Sequence, residues 1–145
     1  GSLRSWVGKN IPWQQIANAL SCAIIGLIEI HKYNGFHRDL KPDNLLLTKD
    51  RETGLSVIKL GDFGLARIPS AGSMTYSPAG TKNYMAPEVL EAFMNPNHVS
   101  YQYAPSADIY SLGITALELL TGKTELRALD GIAKEKVPID FLRLI

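Results

Sequence analysis

His37-Arg38-Asp39-Leu40-Lys41-Pro42-Asp43-Asn44 and Asp62-Phe63-Gly64 frame two short apolar runs, Leu45-Leu46-Leu47 and Val57-Ile58-Lys59-Leu60. The runs read as two strands joined by the polar turn 48–54, so one polar cluster enters the first strand and the other leaves the second. Carboxylates and a carboxamide at adjoining strand ends can hold a hard divalent cation through oxygen. Mg2+ suits such a site because it keeps much of its octahedron for water and phosphate oxygens. Asn44 and Asp62 suffice as protein ligands when a nucleotide supplies the rest. Asp39 is then free to orient an attacking hydroxyl and accept its proton, while Lys41 sets a cation against a phosphoryl group in transit.

Upstream, apolar residues at Ile16, Leu20, Ile24, Leu27 and Ile30 or His31 recur at steps of three and four and predict an amphipathic helix over 13–33. Pro12 suits its first turn and Asn34-Gly35 its end. Downstream, 61–87 shows little periodicity and is rich in Gly, Ser, Thr and Pro, which predicts a long functional loop. Pro105 opens a second helix over 105–122 that is apolar on nearly every side and therefore buried. Asp108 in its first turn consequently needs hydrogen-bond partners, because an uncompensated buried carboxylate is costly. Beyond Gly122 the pattern weakens to polar turns and one short apolar run, Phe141-Leu142-Arg143-Leu144-Ile145.

The 145 residues carry 15 Lys+Arg against 14 Asp+Glu, 46% hydrophobic residues and one cysteine. A chain this long can bury a core, and neither disorder nor a fibrous repeat fits it. The charge balance lacks any block of one sign, which argues against a nucleic-acid stripe or a polybasic membrane tether. A lone Cys22 excludes an internal disulfide and is expected in the core. Gly1-Ser2-Leu3-Arg4-Ser5 does not open a signal peptide, and the most apolar windows contain or adjoin Glu29, Asp108 and Glu118, so no direct membrane insertion is expected. The expected address is cytoplasmic. A start at Gly1 rather than methionine leads to the expectation of a fragment.

The order of His37-Arg38-Asp39-Leu40-Lys41-Pro42-Asp43-Asn44, Asp62-Phe63-Gly64, Gly80-Thr81 with Tyr84, and Ala86-Pro87-Glu88 resembles the protein kinase family at its catalytic loop, metal-binding turn and activation segment. The resemblance implies an α+β fold: the mainly helical C-terminal lobe with short catalytic-loop strands, and the N-terminal β lobe absent. It makes 1–145 a partial kinase domain, running from just past the hinge to the start of a late large-lobe helix, with an activation segment at 62–88. It implies ATP and Mg2+ as cofactors, Asp39 as catalytic base, Lys41 as phosphate contact, and Asn44 and Asp62 as metal ligands. Ser2 would sit near the ribose, Leu46 beneath the adenine and Leu3 near its rim, although plain core packing is an equal account of both leucines. Phe63 and His37 resemble the regulatory stack of this lobe, and Asp108 the brace beneath the backbone of His37-Arg38.

Lys41 within Leu40-Lys41-Pro42-Asp43-Asn44 resembles the serine/threonine form of the loop, and Thr81 resembles the substrate-docking residue that bonds to Asp39 and Lys41. Both imply protein substrates with Ser or Thr acceptors. Arg38 before the base resembles kinases switched by phosphorylation, in which an upstream kinase would modify Ser77 or Thr75 and the phosphate would pair with Arg38 and Arg67. The general flavour resembles the tyrosine-kinase-like group, although Phe36 replaces a commoner small aliphatic residue and 123–136 fits poorly. Neither a G-x-G-x-x-G loop nor a V-A-I-K-like lysine occurs, and the Arg partner implied for Glu88 belongs to a later stretch. Residues 1–145 alone are therefore expected to be nearly inactive. The alternatives are a catalytically silent lobe that binds proteins and a small-molecule phosphotransferase; the segment ending at Ala86-Pro87-Glu88 favours protein substrates over the latter.

Overall fold

The computed structural model describes residues 1–68, 79–95 and 103–123. The activation-loop candidates Thr75 and Ser77 and the C-terminal apolar run lie outside the described residues.

The upstream periodicity becomes α1 (Trp13–Lys32), entered from Pro12, with His31 and Lys32 in the last turn, where cations complement the carbonyl end of the dipole. Its buried stripe is Ile16, Ala19, Ala23 and Leu27, with Leu20, Cys22 and Ile24 packed along the edge. The stripe expected from Leu20 and Ile24 is thus rotated onto two alanines, because small residues let α1 lie close to its neighbours. Cys22 is half-buried at that edge rather than in the core. Asn34, not Gly35, takes the left-handed conformation at the exit (φ 54°). Gly35 is required for closeness instead: a Cβ there would stand 2.9 Å from the Ile30 side chain and 3.1 Å from its carbonyl.

The two apolar runs form an antiparallel pair, β1 (Leu45–Lys49) and β2 (Ser56–Leu60), in the register Leu45 with Leu60 and Leu47 with Ile58. Asp50 shapes the connection, its Oδ1 accepting from the Glu52 and Thr53 amides and the Thr53 hydroxyl. α1 packs against β2 and against the second predicted helix. That helix follows a shorter one, α2 (Pro87–Met94), just past the 61–87 loop in a stretch for which the sequence predicts no element, opened by Pro87 at its first position. The second predicted helix is therefore α3 (Pro105–Thr121), which ends at Gly122 in the left-handed region (φ 69°).

α3 is buried over most of its circumference, as its composition required. One core gathers Leu3, Leu27, Leu40, Leu45, Ile58 and Leu112 between α1, the strands and α3. A second joins Phe36, Met85, Val89 and Tyr103 near α2. By length and composition α1 could cross a membrane; its stripe instead packs on β2 and α3. The mixture of helices with one small sheet matches the α+β expectation.

Leu27 sits in the first core with almost no exposure, whereas Ile25 projects outward. Leu27→Ala is expected to cost about 2–5 kcal/mol in urea unfolding, and Ile25→Ala no more than about 0.5 kcal/mol.

Candidate active site

Asp39 sits at the meeting point of two loops. Its Oδ1 accepts from the Thr81 amide at 2.9 Å and the Thr81 hydroxyl at 2.7 Å. Its Oδ2 accepts from Lys41 Nζ at 2.7 Å and Asn44 Nδ2 at 3.1 Å. Lys41 Nζ also donates to Thr81 Oγ1 at 2.8 Å, closing a ring of carboxylate, ammonium and hydroxyl. The expected bonds of Thr81 to Asp39 and Lys41 are therefore present. Burial pushes the Asp39 carboxyl upward, but hydrogen bonds from Lys41 and Thr81 and the charge of Lys41 outweigh it and hold the group below the usual carboxylate range. Asp39 is accordingly ionised at neutral pH, the form a proton acceptor needs.

The loops can approach this closely because residue 80 is glycine. Its φ is +124°, and a Cβ would lie 2.4 Å from the Arg38 carbonyl oxygen. Arg38 itself is left-handed (φ 72°), a conformation that a bulky residue keeps only when its surroundings hold it there. The holding group is Asp108, fully buried in α3. Its carboxylate accepts from the backbone amides of His37 and Arg38, each at 2.9 Å, from His31 Nε2 at 2.9 Å and from the Tyr103 hydroxyl at 3.2 Å. The brace expected beneath His37-Arg38 is thus in place, with His31 and Tyr103 as partners that sequence reasoning did not name.

The second polar cluster is set by Gly61. Its amide donates to the Asn44 carbonyl at 2.8 Å, and its own carbonyl accepts from His37 Nε2 at 2.9 Å. Asp62 follows in the left-handed region (φ 54°), with its Oδ1 accepting from the Gly64 amide. Phe63 then packs against His37, ring centroids 5.3 Å apart and planes tilted by 52°, so the two rings that the resemblance paired are in contact. Asn44 Nδ2 faces Asp39, leaving its Oδ1 as a hard oxygen donor, and Asp62 adds an exposed carboxylate one residue beyond the Gly61 bridge. This donor set fits a hard divalent cation that takes its remaining ligands from phosphate and water. Among the described residues no group of three or more His, Cys, Asp or Glu could hold a metal alone.

The nucleotide-side assignments divide. Ser2 and Leu46 meet in a backbone bridge, and Leu46 is 40% exposed on the sheet. Leu3, expected near an adenine rim, is instead fully buried in the first core, where its side chain has no open face to offer. Arg67 pairs its backbone with Phe36 and donates one guanidinium N–H to the Ala66 carbonyl. Arg38 is buried with its guanidinium 5.7 Å from the centre of the Tyr103 ring. Glu88 is exposed in the first turn of α2.

Sequence reasoning missed one network. Arg4, in a short 3-10 helix (Leu3–Trp6), donates through Nε and Nη2 to Asp43 Oδ2 at 3.0 and 2.7 Å, through Nη1 to Glu118 Oε1 at 2.5 Å, and through Nη2 to the Tyr84 hydroxyl at 2.8 Å. The Tyr84 hydroxyl donates to Glu118 Oε2 at 2.5 Å. Arg4 holds Asp43 below the usual carboxylate range, whereas burial and the Glu118 bond push Tyr84 up to about 12. The clue lay in Glu118: like Asp108, it is a carboxylate in an otherwise apolar helix.

A family model described as the protein kinase domain matches residues 1–143. The chain belongs to the protein kinase family. It is 37% identical over 116 residues to serine/threonine-protein kinase STY46 of Arabidopsis thaliana, covering 76% of this chain and 18% of that protein. It is 39% identical over 137 residues to serine/threonine-protein kinase TAO2 of Xenopus laevis, covering 90% of this chain and 12% of that protein. With serine/threonine-protein kinase unc-51 of Caenorhabditis elegans it shares 40% over 114 residues, covering 75% of this chain and 12% of that protein. The chain thus spans under a fifth of each of these three relatives. Kinases of this family use ATP and Mg2+, in keeping with the donor set around Asn44 and Asp62.

The lowered Asp39 carboxyl has a consequence for stability. A group whose folded pKa lies below its unfolded one stabilises the fold above the ordinary value of 3.8 and loses that contribution as pH falls through the folded value. The urea midpoint is expected to fall between pH 5 and pH 2, and to fall less in Asp39→Asn, which has no carboxylate to protonate at that position.

Proposed function

We propose that this chain is the large-lobe part of a Ser/Thr protein kinase, which transfers the γ-phosphoryl group of ATP to Ser or Thr hydroxyls of protein substrates. The observation that carries the reading is the ring of Asp39, Lys41 and Thr81. A carboxylate offers about four acceptor positions, and those of Asp39 are taken by Thr81, Lys41 and Asn44. An acceptor hydroxyl must therefore displace one donor. Lys41 is the one able to leave, since its ammonium rides on a flexible stem and its side chain is partly exposed, whereas Asn44 is buried and also bonded to the Asp39 carbonyl. On leaving, its charge is available to the transferring phosphoryl oxygens. Asn44 and Asp62 would hold Mg2+, which neutralises charge on the phosphates; Ser2 and Leu46 would border the nucleotide. Ser77 or Thr75 is the proposed site for an upstream kinase, with Arg38 and Arg67 as phosphate partners.

Kinase catalysis rests on positioning and electrostatics, and residues 1–145 contain neither a Gly-rich phosphate loop nor the lysine that would accompany it. The chain by itself is expected to turn over poorly. Phe63 is 52% exposed and lines an apolar groove of about 560 Å3 with Ile30, Tyr33, Phe36 and Ile68. That groove is the observation in favour of the second reading, a lobe that binds other polypeptides without catalysis.

Phosphotransfer from radiolabelled ATP to a Ser/Thr peptide decides between them. In the intact protein Asp39→Asn is expected to lower the rate by about 10^2–10^4-fold, the span of a positioned general base, and Thr81→Ala to lower it less. Transfer unaffected by Asp39→Asn would overturn the assignment, and robust turnover by residues 1–145 alone would overturn their expected inactivity.

A further inference from the structure

The acceptor site is built from two loops, the one carrying Asp39 and the one carrying Thr81, and neither belongs to a regular element that could hold the other. Arg4 reaches both. It lies next to Leu3, whose side chain is fully buried in the core, so its backbone is anchored. From there its guanidinium spans Asp43 on the Asp39 loop, Tyr84 on the Thr81 loop and Glu118 on α3.

The two ends of this bridge lead to the base by short paths. Asp43 lies in the single 3-10 turn (Pro42–Asn44) that ends at Asn44, whose side chain bonds to Asp39. Tyr84 closes the 3-10 turn (Lys82–Tyr84) capped by Thr81, its amide donating to the Thr81 carbonyl at 2.9 Å and its carbonyl accepting from the Ser111 hydroxyl at 2.7 Å. The Tyr84 hydroxyl therefore fixes the far end of a turn whose near end is bonded to Asp39.

We propose that Arg4 is a positioning residue for phosphotransfer, which sets the separation of the Asp39 and Thr81 loops by bridging Asp43, Tyr84 and Glu118. The role rests on the kinase reading above. Arginine is needed because one planar fork must serve three acceptors lying in different directions; a lysine ammonium keeps the charge but cannot span them. Glu118 is 1% exposed, so its two oxygens depend on Arg4 and Tyr84 for their compensation. The network thus also explains why an otherwise apolar helix carries a carboxylate at that point.

A mere anchor of the N-terminal segment and a positioning residue differ in what they disturb. Amide hydrogen exchange in the intact protein, measured for wild type, Arg4→Lys and Tyr84→Phe, separates them. In Arg4→Lys the Thr81 amide, held by Asp39, is expected to exchange about tenfold faster while Ala23 and Leu27 in α1 keep their protection. Tyr84→Phe retains the ring and its packing but cuts the link from Arg4 to the docking loop, and it should loosen Thr81 in the same way. With ATP and a Ser/Thr peptide, Tyr84→Phe, which leaves the pairing of Arg4 with Asp43 and hence the Asn44 turn intact, should raise KM for the peptide severalfold and leave KM for ATP unchanged. Unaltered exchange at Thr81, or faster exchange at Thr81, Ala23 and Leu27 together, would overturn the proposal, as would equal changes in both KM values. If the wild-type protein transfers no phosphate, the kinase reading is what fails, and the exchange pattern still decides whether Arg4 sets the loops.

Discussion

Asp108 has no solvent contact, yet it lies in the first turn of a helix otherwise built for the interior. Breaking a buried charge arrangement of this kind costs about 3–5 kcal/mol, so the carboxylate is tolerable only because four donors converge on it. Two of them are the amides of His37 and Arg38. Those amides belong to the stretch in which Arg38 adopts a left-handed conformation, and the bonds to Asp108 are what make that conformation affordable. The same turn sends Asp39 toward Thr81 and brings the Arg38 carbonyl against Gly80. The loop carrying Asp39, the loop carrying Thr81 and α3 are in this sense one construction, with the buried Asp108 carboxyl group at its centre.

The polar interior of α3 extends the same logic along its length. Asp108 holds the loop that carries Asp39, the Ser111 hydroxyl donates to the Tyr84 carbonyl, and Glu118 meets Tyr84 and Arg4. Asp108, Ser111 and Glu118 each answer a backbone or side-chain group outside the helix, whereas the buried Thr115 hydroxyl bonds back to the Ser111 carbonyl of α3 itself. Loops cannot be stabilised by ladder hydrogen bonds, so a rigid element lined with specific donors and acceptors fixes them instead. Gly61 plays the matching part on the other side of the site, its amide and carbonyl tying Asn44 and His37 to the turn that presents Asp62.

Reading the chain as residues in order located the elements well where a single physical rule governs them. Apolar spacing found α1 and α3, and the two short apolar runs found β1 and β2 with ends displaced by only a residue or two. The rule failed where packing partners decide. The α1 stripe turned toward Ala19 and Ala23 because close approach to β2 and α3 favours small residues, a preference that no hydrophobicity pattern contains. α2 escaped notice because eight residues are too few for a period to declare itself.

For the site, residue types and their order singled out Asp39, Lys41, Asn44 and Asp62 as candidates, since proton transfer, phosphate contact and hard-cation binding each demand particular functional groups, while Thr81 entered only through the family resemblance. What the linear chain could not express is which of those groups touch. That Lys41 bonds to Asp39 and Thr81 at once, that Leu3 is walled into the core rather than open to a nucleotide, and that Arg4 joins Asp43, Tyr84 and Glu118 across 114 positions of sequence are facts of tertiary placement. Chemistry is carried by the identity of side chains and is therefore written locally; distance and burial are set by how separate segments pack, so only the folded chain could decide them.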